Sequence, residues 1–538
     1  MLQTITGLAN KTRLNGKQPN TFALDLNCAI YHCVHKLQKR QPYNEDSKLR
    51  WEAQLIEQVV AYIKQITNVV KPIDTLYIAV DGVAPMAKIK QQRMRRFKSA
   101  VQAQEEGRIR AEARNAPYIE QPRWDTNAIT PGTKFMAALA TALRDYGKTK
   151  TKEGAQIVVS PADEPGEGEQ KIMDYVRDKK PVDVVVYGLD ADLIVLSLAG
   201  STLGINMDLF REEVEFNGGG VKHDIHGEEQ FLYLHVNLLA KTLFETYGKP
   251  EQSLYEFITD FVALMSFLGN DFVPHGLALK IKDEGIERLL RIYKEKLTTA
   301  LLVRNASDAY EYNPRTLRTL FTILAEEEPT HILRAVKKKL TARIGSTASK
   351  DPEDQALARY NDQPVLWAAE RILVDDLYVP GFEKPQIILR DDWAAIYDKE
   401  ALWNTNPQNS AKLYLESLAW TLAYYMGEPI DTEWYYPFPH PPRMESVKQL
   451  LETQNQVQAP STKRLPLTPI QQLAMVLPQS SFHLLPREYT ALQQLHPYAW
   501  PTSWSVYSFG RRFLWECEPL IPLVQPGQIR QWIDALYE

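Results

Sequence analysis

Three short apolar runs, each leading into an aspartate, constrain the fold of this chain more than any other feature. Thr21–Leu24 leads into Asp25, Thr75–Val80 into Asp81, and Asp183–Tyr187 into the pair Asp190 and Asp192. Their β-branched and aromatic content and continuous hydrophobicity read as buried strands, and stretches of helical period fill the intervals. The predicted class is therefore α/β over residues 20–300: a mixed or parallel sheet flanked by helices, with a mostly helical second region packed against it. In such sheets, residues just beyond the carboxyl ends of the strands face a common crevice, so acids there are candidates for an active site.

The acids multiply along the chain. On an extended segment Asp190 and Asp192 would face the same side, where two carboxylates repel unless they are protonated, hydrated apart or bridged by a cation. Glu167 and Glu169 precede the helical pattern Lys171–Val176, where capping of a helix N-terminus explains carboxylates as readily as chemistry does. Asp271 interrupts the apolar run Met265–Pro274. Together Asp25, Asp81, Glu167, Glu169, Asp190, Asp192 and Asp271 are hard oxygen donors without a matching set of His or Cys. That chemistry points to Mg²⁺ or Mn²⁺ rather than zinc. Two such ions would activate a water and stabilise the leaving oxygen of a phosphodiester displacement.

Directly after Asp81 comes a densely basic segment. If it is helical, Lys88, Gln92 and Arg95 or Arg96 share one face and suit a terminal phosphate. A solvated surface helix is the plain alternative.

These residues carry a resemblance. Asp81–Pro85 with Gln91–Phe97, Asn127–Met136, Pro165–Glu169, Tyr187–Ile194, Leu209–Val214 and Gly269–His275 are similar, in order, to the first conserved region of the Xrn-type 5′→3′ exoribonucleases. Leu418–Gly427, Trp434–Pro437 and Pro466–Pro478 resemble the second conserved region. The resemblance implies a PIN/5′-nuclease-like core, the seven acids as the metal cluster, and Lys88, Gln92, Arg95 and Arg96 as the pocket for a 5′-monophosphate. It further implies processive hydrolysis of single-stranded RNA, in mRNA decay, to nucleoside 5′-monophosphates. The family stacks a 5′ base between aromatic rings; Tyr31, with His32 beside it, and Trp434 fall at the corresponding places. The opening Met1–Asn10 departs from the Gly-Val-Pro-x-Phe-Phe-like start of that family. The chain reads as a short member lacking C-terminal extensions.

Composition agrees with a globular catalytic body. The 538 residues suffice for a large core, divided here into a nuclease core (1–300), a helical connecting region (301–400) and a second conserved region completing the substrate channel (401–538). Only Cys28, Cys33 and Cys517 are present, which excludes a disulfide framework and a four-cysteine zinc module. No apolar run approaches the length of a membrane span and no strong basic cluster marks nuclear import, so the expectation is a monomeric cytoplasmic enzyme with no membrane contact. The net charge of −5 is compatible with RNA binding once the acids are assigned to metal and the cations to local patches. The cluster alone also fits a flap-type DNA 5′ nuclease, and a catalytically inactive RNA-binding scaffold is the non-enzyme alternative.

Overall fold

The computed structural model describes residues 8–120, 122–188, 190–214, 221–363, 369–378, 380 and 385–537. Met1–Gly7, most of the atypical opening, and Leu189 lie outside them. Seven strands form one mixed sheet: β1 Ala9–Asn10, β2 Thr21–Asp25, β3 Thr75–Ala79, β4 Gln156–Ser160, β5 Asp183–Tyr187, β6 Asn206–Glu212 and β7 Phe231–His235. Their order is β1-β7-β6-β5-β2-β3-β4. The five strands from β6 to β4 run parallel, whereas β7 and β1 are antiparallel additions at one edge.

Alternation along the central strands decides which layer each residue joins. Phe22 and Leu24 of β2, Leu76 and Ile78 of β3, and Val185 and Tyr187 of β5 enter one core. That layer is built on helices α1 Leu26–Arg40, α2 Lys48–Val70 and α4 Lys134–Gly147; α3, Met86–Ala113, runs between α2 and α4 in sequence. Ala23, Tyr77, Ala79, Val184 and Val186 face the opposite core, formed with α5 Gly168–Lys179, α6 Ala191–Ser201, α7 Val236–Tyr247 and α8 Leu254–Met265. Burial on both faces explains why these strands read as continuous apolar runs.

The long helix α3 ties the sheet to the rest of the chain. Arg93, completely buried in the middle of its basic run, donates to the backbone carbonyls of Met475 at 2.5 Å, Pro522 at 3.0 Å and Ala499. It also lies 4.4 Å from the centroid of Phe97. This arginine is structural, holding the second region onto the first. The far end of α3 is clamped as well, since Arg110 and Arg114 pair with Glu353. The polar stretch Ser99–Arg114 therefore packs against a neighbour.

Beyond α8 the chain is mostly helical: α9 Gly285–Lys296, α10 Pro314–Thr341, α11 Pro352–Asn361, α12 Trp393–Leu402, α13 Pro407–Met426, α14 Met444–Thr453, α15 Pro469–Val476 and α16 Pro526–Asp534. Residues 301–400 also hold two small antiparallel ribbons, Leu302–Arg304 with Tyr310–Tyr312 and Val374–Leu377 with Gln386–Leu389. Prolines keep Tyr435–Pro442 out of any helix, and Tyr436, Phe438 and His440 are nevertheless buried. Among the described residues no helix is long and apolar enough to cross a membrane.

One acid in this region makes stability depend on pH. Glu328 of α10 is buried beside Arg443, Asp398 and Arg288 and accepts the Met444 N–H at 3.0 Å. Burial pushes its carboxyl from 4.5 up to about 8. A raised acid holds its proton in the folded chain and loses it in the unfolded one, so the contribution is full below 4.5 and fades as pH rises towards 8. Glu328→Gln, which keeps an acceptor for Met444, is expected to flatten that decline. Thermal unfolding should show little change at pH 5 and a gain on the order of 1–3 kcal/mol at pH 8.5.

Candidate active site

The site assembles at the carboxyl ends of four adjacent parallel strands. Asp25 is the last residue of β2, Asp81 follows β3, Glu167 and Glu169 open α5 after β4, and Asp190 and Asp192 open α6 after β5. Asp271 arrives from the segment after α8. Asp190 and Asp192 do not sit on an extended segment. The strand stops at Tyr187; Asp190 is the N-cap of α6 and Asp192 lies in its first turn. An aspartate at an N-cap starts a helix by accepting an amide, here Asp192 N–H at 3.5 Å. Helix geometry rather than strand alternation therefore brings the pair near one another.

Capping does not explain Glu167. It stands at the N-cap of α5 without capping it through its side chain. Instead its carboxylate accepts from Tyr424 Oη at 2.6 Å and from Lys88 Nζ at 2.7 Å. The same ammonium lies 2.8 Å from Asp271 Oδ2. Lys88, in the first turn of α3, thus stands among the acids and joins the two sides of the crevice. Burial lowers its basicity, but Glu167, Asp271 and Glu169 outweigh that and hold it well above the ordinary lysine value.

The acids themselves are forced together against their charge. Burial, then Asp81, pushes Asp25 up to about 8, with Lys88 opposing. Burial, then Asp271 and Asp190, raises Asp192 to about 7. Glu167 and Glu169 are also raised by burial, again against Lys88. Such crowding asks for more positive charge than one lysine. Among the described residues Asp25 Oδ1 is buried without a hydrogen-bond partner. Space for a ligand next to it depends on Gly168, since a Cβ there would stand 2.7 Å from Asp25 Oδ1 and 3.3 Å from Asp81 Oδ1. As the side chains stand, no three acids among the described residues form a ready-made coordination shell, and Lys88 supplies the cation. The donor set, all hard oxygen with one orphaned acceptor, fits Mg²⁺ or Mn²⁺.

Several supporting residues escaped the sequence reading. Asn27 donates to Asp81 Oδ2 at 2.8 Å and accepts the Asp81 N–H at 3.2 Å, so it fixes that carboxylate from both sides. Its place two residues after Asp25 is the signal that could have found it. The Gly168 N–H donates to Asp81 Oδ1 at 2.7 Å. Lys171 ties the loops together by donating to the carbonyls of Val80 at 2.8 Å and Pro161 at 2.9 Å. The turn after Asp81 is pinned by Gly82 N–H to Gly166 O, Gly166 N–H to Val83 O and Ala84 N–H to Gln472 Oε1, each 2.8 Å. Glycine is required at position 82, where a Cβ would fall 1.8 Å from the Glu164 carbonyl oxygen.

Tyr424 reaches Glu167 from α13, 257 residues away in the chain. Tyr424→Phe keeps the ring, which stacks on Trp420 at 5.3 Å, and removes only the hydroxyl. The expected result is a roughly tenfold loss of kcat, the scale of one hydrogen bond to a charged group, with melting temperature nearly unchanged.

The phosphate-binding candidates continue along α3. Gln92 is buried, with Oε1 unpartnered among the described residues. Arg96 donates to Thr130 Oγ1 at 2.5 Å, which in turn donates to Asn127 O, so the segment Asn127–Thr133 braces it. Burial lowers its pKa to about 10, with Tyr31 facing it. Arg95 is exposed and turns towards a neighbouring cavity. Tyr31 is 37% exposed and available for stacking. His32 turns inward, against the Tyr62 ring at 4.8 Å and Glu229 at 3.0 Å. Trp434 stacks on Trp420 at 5.9 Å, at the end of a ladder that begins with Tyr424.

Comparison with known proteins follows this geometry. A family model described as "XRN 5′-3′ exonuclease N-terminus" matches residues 2–213, and one described as "Xrn1 helical domain" matches 252–345 and 398–538. The chain is 26% identical to a 5′-3′ exoribonuclease 2 homolog of Caenorhabditis elegans, over 98% of this chain and 68% of that protein. It is 26% identical to the 5′-3′ exoribonuclease 2 of Arabidopsis thaliana, over 97% of this chain and 63% of that protein. To the 5′-3′ exoribonuclease 2 of Candida albicans it is 34% identical, over 53% of this chain and 32% of that protein. At its fullest, the match spans about two thirds of the length of these curated relatives. The first family model covers strands β1 to β6, α3 and six of the acids, the second covers Asp271 and Tyr424, and on that combined match the chain belongs to the Xrn family of 5′→3′ exoribonucleases.

Proposed function

We propose that this chain is a processive 5′→3′ exoribonuclease that removes nucleoside 5′-monophosphates, one at a time, from single-stranded RNA carrying a 5′-monophosphate. The observation that carries the proposal is the sharing of one helix between two tasks. Lys88 of α3 is bonded to Glu167 and Asp271, while Gln92 and Arg96 lie one and two turns further along the same face. Eight residues of helix advance about 12 Å, a fixed interval between the phosphate end and the acid cluster.

Gln92 and Arg96, with Arg95 at the rim, grip the 5′-phosphate, and Tyr31 supports the first base. Asn27 and the Gly168 amide orient Asp81, Tyr424 orients Glu167, and the pinned turn at Gly82 fixes the backbone that carries Asp81. Mg²⁺ or Mn²⁺, two ions in this reading, held by Asp25, Asp81, Glu167, Glu169, Asp190, Asp192 and Asp271, supplies water activation and charge neutralisation when bound. The water oxygen bonds to the phosphorus of the first internal phosphodiester and the bond from phosphorus to the 3′ oxygen breaks. The released nucleotide keeps its own 5′-phosphate, and the remaining RNA gains a new one. Regeneration of that end makes the next cycle equivalent to the last. Such a substrate gives the enzyme a place in cytoplasmic mRNA decay.

Competition between 5′-phosphorylated RNA, DNA of the same sequence and a flapped DNA duplex tests the substrate class. RNA should be shortened with mononucleotides as the sole early product. Preference for the flap would reject the proposal.

A further inference from the structure

A cavity of about 670 Å³, within the size range of ligand sites, opens on the side of α3 next to the phosphate face. It shares Asp271 and Arg95 with the site above, and its walls include Lys90, Lys98, Lys280 and Tyr435. Its cations are arranged unusually. Lys90 donates to Tyr436 O at 2.8 Å, Lys98 to the carbonyls of Trp515 at 2.7 Å and Cys517 at 3.1 Å, and Lys280 to Gly510 O at 2.9 Å. Among the described residues none of the three is paired with a carboxylate. Their nearest acids act at longer range, Glu518 on Lys90 and Lys98 and Glu370 on Lys280. Burial depresses all three, Lys280 to about 8. Arg511 adds a further cation, held by neutral His275 at 2.5 Å and only 3.8 Å from Glu518.

These ammonium groups lean on backbone carbonyls, and although Asp271, Glu516 and Glu518 also line the cavity, its cations Lys90, Arg95, Lys98, Lys280, Lys282 and Arg511 outnumber them, which leaves it short of counter-charge. An anionic ligand supplies it. The aromatic wall at Tyr435 and Phe272 suits a base, and the common border at Arg95 places the cavity one step from the 5′-phosphate grip. We propose that this cavity receives the nucleoside 5′-monophosphate after cleavage, so that product leaves around α3 instead of back across the incoming RNA. This rests on the exonuclease reading for its ligand, while the excess of cations over carboxylates in the cavity stands independently of it.

The test uses the full chain and the double variants Lys98→Ala/Lys280→Ala and Lys98→Met/Lys280→Met; the second keeps the apolar stems in case the first does not fold. Titration calorimetry with adenosine 5′-monophosphate should show affinity weakened about tenfold or more in both, and adenosine should not bind at the cavity in either form. In rapid-quench experiments, release of the first nucleotide should stay within about twofold of wild type while successive steps slow about fivefold. Unchanged nucleotide affinity with unchanged successive steps would overturn the proposal. So would a raised KM for long RNA with nucleotide binding intact, which would mean that the cavity carries the incoming strand. If the wild type binds the nucleotide through these lysines but cuts no RNA, the exonuclease reading fails and the anion site stands.

Discussion

Replacing Asp190 and Asp192 together by alanine is expected to abolish cleavage, with a loss on the order of 10⁴-fold or more in kcat, while RNA binding stays measurable. The two aspartates start α6 above β5, and Asp192 is raised to about 7 by burial and by Asp271 and Asp190. Removing both relieves repulsion, so the folded chain should be no less stable than wild type apart from the lost N-cap, which costs about 1 kcal/mol. Gel-shift affinity for a 5′-phosphorylated RNA and a melting curve check these two halves. Cleavage that survives the double substitution would remove the acids of α6 from the chemistry.

The second large effect belongs to Arg96. Arg96→Ala removes a guanidinium held by Thr130 on the face that continues from Lys88 and Gln92. A charge-assisted contact to phosphate is worth about 1.5–3 kcal/mol, so kcat/KM for 5′-monophosphorylated RNA should fall about 10–150-fold. For RNA with a 5′-hydroxyl the same substitution should change the rate little, because no phosphate is there to lose. The readout is the ratio between the two substrates, which a merely structural role would leave untouched. Arg93→Ala is the contrasting variant: Arg93 faces backbone carbonyls of the second region, so it should destabilise the chain without altering that ratio.

Much of this arrangement was legible in the sequence because it is local. The parallel strands β2, β3 and β5 bury both faces and so announce themselves as apolar runs, and the acid that closes or follows each run falls at the sheet edge by topology alone. The phosphate face of α3 follows from helical period. The reading of Asp190 and Asp192 as an extended pair missed the helix start, since the strand ends at Tyr187 and Asp190 is itself the N-cap of α6. The complete burial of Arg93 within a run of cations could not be read from its neighbours, because its partners lie at Met475, Ala499 and Pro522. Tyr424 and Gln472 were hidden for the same reason, each meeting the site from several hundred residues away. Lys88 was read as a phosphate ligand only, and its bonds to Glu167 and Asp271 appear once α3 is set against α5.

The central claim is that one helix couples recognition of a 5′-phosphate to an acid cluster that works with a divalent ion. The most direct measurement is a time course with and without Mg²⁺ on three RNAs of one sequence, bearing a 5′-monophosphate, a 5′-triphosphate or a 5′-hydroxyl. The expected result is Mg²⁺-dependent release of mononucleotides from the monophosphorylated RNA, at least about tenfold faster than from the other two. Equal rates on all three ends, or undiminished cleavage after the divalent ion is chelated, would contradict it.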